Sequence, residues 1–172
     1  MKKWMALFLA LTLVVSLTAC GKGREETVEN LEGTMEAVIE KINEKHPAVE
    51  LPLMTMALDL TDTDALAYNT GLSSADKITE AAVSEPMMGQ AYSLVLVRVE
   101  DAAKAEAVAK EMLDNVDTRK WVCNHADTKV AAAYGDVAMF FMVSSEFAQQ
   151  ATTNTVLEAF KAVCPGEVKV IG

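Results

Sequence analysis

The chain has 172 residues, 51% of them hydrophobic, and 25 acidic against 15 basic residues give a formal net charge of −10. That length suits a single domain with one sizeable core. The acidic balance excludes nucleic acid as a partner, because phosphate recognition needs basic surface, and it excludes electrostatic adhesion to anionic lipid.

Lys2 and Lys3 precede an uncharged apolar run, WMALFLALTLVVSLTA. A basic start, an apolar middle and small residues near the end form the layout of a secretory signal. The run is too short to span a bilayer comfortably, where about 20 residues are needed. It ends on Leu17-Thr18-Ala19-Cys20, followed by Gly21, and this resembles the lipobox of bacterial lipoproteins. The resemblance implies cleavage before Cys20 and a diacylglyceryl group on its thiol. Two acyl chains hold a protein stably where one does so only marginally. The expected location is therefore the extracytoplasmic face of the cell membrane, with the lipid bilayer engaged through lipidated Cys20. The expected organisation is a signal peptide at 1–19, a lipid anchor and polar tether at 20–26, and one domain at 27–172.

From Thr27 onward Val28, Leu31, Met35, Val38, Ile39 and Ile42 recur at helical spacing. Glu25 and Glu26 suit the start of a helix dipole and Lys41 and Lys45 its end, with Pro47 as the stop. Residues 48–56, AVELPLMTM, stay open between strand and loop because Pro52 interrupts them. Asp62 and Thr63 cap a short helical turn that Gly71 closes. KITEAAVSEP and AYSLVLVRVE read as two strands joined by PMMGQ. Asp101 then caps a helix with a narrow face of Ala105, Val108, Ala109 and Met112, and Glu106 and Lys110 form an i,i+4 pair. TKVAAAYGDVAMFFMVSS predicts a hairpin turning at Gly135-Asp136. Phe147, Ala151, Leu157 and Phe160 give the buried side of a last helix, ended by Pro165 and Gly166, and EVKVIG adds an edge strand.

The order strand-strand-helix occurs twice, at 77–116 and 128–163, and a shift of 45 positions lays 97–101 on 142–146. The expected fold class is α+β: an antiparallel sheet built from two strand-strand-helix units, preceded by an amphipathic N-terminal helix. Both unit helices are expected on one sheet face. The lipobox, the N-terminal helix, the turn from Tyr68 to Gly71, VRVED and YGDVAMFFMVSS together resemble a family of short lipoproteins from Gram-positive bacteria that carry a domain of unknown function. The resemblance covers roughly residues 35–160, and it implies no active residue and no cofactor.

Cys123 and Cys164 form a candidate disulfide, because outside the cytosol a remaining pair invites bridging. Closing that loop would contribute about 4 kcal/mol, and the alternative is two half-buried thiols. Cys123 and His125 are the only visible cast for a hydrolase, and neither a phosphate loop nor a G-x-S-x-G nor an H-E-x-x-H motif occurs. Asp59, Asp62 and Asp64 lack the central glycine and distal Glu of a calcium loop, so helix capping explains them and no metal is expected. Met54, Met56, Met87 and Met88 form a candidate partner surface, since thioethers adapt well to binding partners. Cu(I) is their other use. The reading is an envelope lipoprotein that binds a partner protein, peptide or small ligand without catalysis. The alternatives are a Cys123/His125 hydrolase and a Met-based copper protein.

Overall fold

A computed structural model of the chain describes residues 29–46 and 51–172. The expected signal peptide at 1–19 and the expected lipid anchor and tether at 20–26 lie outside the described residues. Among those described, no helix is long and apolar enough to cross a membrane.

The first helix, α1 (Met35–Lys45), starts later than the apolar recurrence predicts. Gly33 takes φ +98, and Thr34 behind it is extended, its side chain accepting from the Ala37 amide at 3.3 Å as an N-cap. Leu31 is still buried, so its place in the repeat reflects packing of an irregular segment. Arg98 holds that segment down. One of its terminal nitrogens donates to the Gly33 carbonyl at 2.9 Å and to Glu80 at 2.8 Å, and the other donates to the Leu31 carbonyl at 2.6 Å. Its Nε faces Asp136 at 3.3 Å.

Pro52 does not interrupt a strand but immediately precedes one, β1 (Leu53–Ala57), at a sheet edge where its missing N–H does little harm. α2 (Thr63–Thr70) runs from the Asp62 cap to Gly71 as expected. Gly71 has φ +73, and a Cβ there would sit 2.6 Å from the Val116 amide nitrogen. Only glycine permits both this turn and the close approach to the next helix.

β2 (Ile78–Pro86) and β3 (Tyr92–Val99) match the expected pair. Asp101 caps a 3-10 turn that leads into α3 (Ala105–Asn115). The expected Glu106–Lys110 pair is not made. Lys110 instead meets Asp114 at 2.7 Å, and Glu106 reaches Lys169 at 2.5 Å. β4 (Thr128–Tyr134) and β5 (Val137–Val143) form the second hairpin, with Gly135 at φ +54 in its turn. α4 (Thr153–Val163) also begins later than predicted, because Thr152 and Thr155 close a reciprocal capping box. β6 (Lys169–Ile171) is the last edge strand.

All six strands form one antiparallel sheet in the order β1-β2-β3-β5-β4-β6. The hairpins meet at β3 and β5, with Val95 opposite Phe140, the two residues that the 45-position shift superimposes. The strands thus follow a local two-fold relation, but the helices break it. α3 packs on the face of Val95, Val97, Ala138 and Phe140, while α4 and α1 pack on the face of Leu94, Leu96, Met139 and Phe141. The expectation that both unit helices share one face is corrected. Its physical reason is visible in VAMFFMV, where every residue of β5 is buried: a strand covered on both sides needs no alternation.

Candidate functional site

Ser84 and Glu85 are neighbours in β2, so their side chains leave the sheet on opposite faces. Each begins a polar neighbourhood, and the two differ in kind.

On the α3 face, Glu85 meets the Lys120 ammonium at 2.5 Å. Lys120 Nζ also donates to Asn69 Oδ1 and Ser93 Oγ, both at 3.3 Å. The Tyr68 and Trp121 rings lie 5.0 and 5.3 Å from it, so cation–π attraction adds to the pair. The Lys120 side chain is only 1% exposed. Burial lowers its pKa, and the Glu85 carboxylate opposes that shift. The Tyr68 hydroxyl donates to the Lys120 carbonyl at 3.1 Å, and Asn124 donates to the Gly89 carbonyl at 3.1 Å. These bonds seat the loop that carries Cys123 and His125. The cluster is closed, with its donors and acceptors turned on one another, and it works as a clamp.

On the α1 face, Thr55 donates to Ser84 Oγ at 3.2 Å and Asn43 to the same oxygen at 3.4 Å. Beside them opens a hollow of about 550 Å³, lined by Glu40, Asn43, Glu44, His46, Leu53 and Thr55. His46 caps the end of α1 and is 9% exposed, and its Nδ1 is buried without a hydrogen-bond partner among the described residues. Burial lowers the pKa of its imidazole.

β1 borders this hollow, and its backbone directions follow from two bonds. Met87 N–H donates to the Pro52 carbonyl at 3.4 Å, and Leu58 N–H to the Ala81 carbonyl at 2.8 Å. Even-numbered residues therefore pair inward with β2. Leu53, Thr55 and Ala57 aim their N–H and C=O outward, where no strand pairs with them among the described residues. Met54 and Met56 stand on the Glu85 side of the strand, 45% and 42% exposed. Met87 and Met88, 70% and 78% exposed, sit in the β2–β3 turn beside the start of β1. The four methionines thus gather around one sheet edge and the turn at its end.

The other candidate residues are dispersed. Cys123 is exposed and Cys164 is buried at the end of α4, both as free thiols, so the expected bridge is not formed in this structure. Burial pushes the Cys164 thiol up to about 12. His125 is exposed. Asp127, close to it in the chain, is occupied by hydrogen bonds from the Ser145 hydroxyl and amide at 2.5 and 2.6 Å, which hold its carboxyl below the usual range. Asp59 accepts from the Thr61 amide and hydroxyl, and Asp62 caps α2. Among the described residues no three His, Cys, Asp or Glu side chains converge as a metal site would require.

Sequence reasoning passed over Lys120, Glu85 and the hollow. The usable signal was Glu40 and Glu44 at i,i+4 spacing on the polar side of α1, where Glu40 has no lysine three or four residues away and Glu44 has only Lys41. Comparison with protein-family models, with curated proteins and with solved structures finds no match for this chain.

Proposed function

We propose that this is a lipid-anchored protein of the extracytoplasmic membrane face that binds an extended segment of a partner protein along β1, without catalysis. The observation that carries this reading is the open edge of β1. Proteins usually protect such an edge with charge or brevity. β6, at the other edge, has only three residues and an exposed Lys169, whereas β1 is longer and reads LMTMA, without a charge. An unprotected edge flanked by thioethers suits strand addition: backbone bonds supply affinity and adaptable side chains the fit.

The lipobox resemblance supports the anchored part of the proposal. The described chain begins at residue 29, against Gly135, and Arg98 bonds Leu31 and Gly33 at the same end of the sheet. The Met87–Met88 turn lies at the opposite end, roughly 20 Å away at the usual strand rise. A tether at the first end would present the methionines away from the bilayer.

Two experiments test the two parts. Mass analysis of the N-terminal peptide from purified membranes should show cleavage before Cys20 and a lipid on it, and Cys20→Ala should release the protein to the medium. An unmodified Cys20 overturns the anchored part. A photo-crosslinking residue at Met54 or Met56 should give discrete adducts in intact cells, and the same residue at Val170 should give none. Adducts at Val170 alone, or none at β1, overturn the binding part.

A further inference from the structure

We infer that the segment added along β1 alternates basic and apolar side chains, its Lys or Arg residues entering the hollow formed by Glu40 and Glu44 and its apolar residues covering Met54 and Met56. This rests on the β1 reading above and names the class of partner. Alternate residues of an added strand must point to alternate sheet faces. On the α1 side they meet the hollow, whose charged lining residues, Glu40 and Glu44, are both acidic and make no ion pair among the described residues. On the other side they meet the exposed thioethers of Met54 and Met56. The wall of the hollow adds an independent sign of a missing polar partner, since His46 is nine-tenths buried and its Nδ1 has no hydrogen-bond partner among the described residues. Buried polar atoms are nearly always paired, and a polar group arriving with the ligand would complete this one. The formal charge of −10 lends long-range attraction to the same partner.

The test uses the full chain in a non-ionic detergent with short synthetic peptides in which valine alternates with lysine, glutamate or serine. Affinity is read by fluorescence anisotropy and location by hydrogen exchange. The lysine peptide should bind about tenfold more tightly than the serine peptide and slow exchange at residues 53–57. Glu40→Gln with Glu44→Gln should erase that preference, while Glu100→Gln with Glu111→Gln, the same charge change outside the hollow, should preserve it. Equal binding of all three peptides at 53–57 overturns the charge inference and leaves the β1 reading standing. A lysine preference that survives Glu40→Gln with Glu44→Gln also overturns it, as diffuse attraction. No protection at 53–57 with any peptide, or protection at 169–171 instead, overturns both. Concentration-dependent protection at 53–57 without peptide makes a second copy the occupant and overturns the basic-segment assignment.

Discussion

Glu85 and Ser84 lie next to each other, yet one ends in a sealed ion cluster and the other beside an open hollow. On the Glu85 side a buried lysine finds a carboxylate, an amide, a hydroxyl and two aromatic rings. On the Ser84 side two carboxylates and a histidine line an open hollow among the described residues. The lesson is that a perturbed titratable group marks burial, and burial alone can serve the fold. A binding site needs unsatisfied chemistry that a ligand can reach, and here that lies along β1.

The sharpest way to break this contrast is to open the sealed side. Lys120→Ala should cost about 3 kcal/mol, because it strands a partly buried carboxylate and removes the stem between two rings. Lys120→Met, which keeps the stem, should cost clearly less. Denaturant unfolding of the two variants checks this, and equal, negligible losses would make the cluster incidental. Gly71→Ala attacks the same side through its scaffold, where a Cβ meets backbone at 2.6 Å and φ is +73. A loss of roughly 2 kcal/mol is expected, from left-handed strain plus displacement of α2, which carries Tyr68 and Asn69.

The open side should behave differently. Glu40→Gln with Glu44→Gln should change stability by less than about 0.5 kcal/mol, because exposed carboxylates that make no ion pair among the described residues contribute little. A large loss would mean that these groups serve the fold after all. His46 gives a pH signature. Its folded pKa is lowered from about 6.5 by burial, so as pH falls below that value the unfolded chain takes up the proton first. Its contribution is complete above 6.5, declines as pH falls towards the folded pKa, and is constant below that. His46→Gln should flatten this part of the stability curve, and an unchanged curve would contradict the burial. The smallest effect concerns the thiols. In the folded chain Cys123 should react readily with a thiol reagent, while Cys164, buried and with its pKa near 12, should react only on unfolding.

Much of the fold was legible because its signals are local. The strands at 77–100 and 128–143 announced themselves by apolar runs and by the turn at Gly135, and Asp62 with Gly71 marked both ends of α2. Helix starts were misplaced where capping threonines overrode periodicity, at Thr34 and Thr152. The assignment of helices to opposite faces was present in the unbroken apolar run of β5, but the repeat suggested a symmetry that the chain does not keep. The methionines could be grouped from their spacing. The partnership of Lys120 with Glu85, and the hollow beside β1, arise from tertiary meetings that leave no pattern along the chain.

Thr55 offers the most direct measurement of the central claim, because its N–H points out of the sheet and bonds to no strand among the described residues. Thr55→Pro should fold with nearly unchanged unfolding behaviour, since proline is tolerated at an edge, and it should lose the photo-crosslinked adducts formed from Met54 and Met56. Adducts that persist at full yield in a folded Thr55→Pro protein would contradict strand addition along β1.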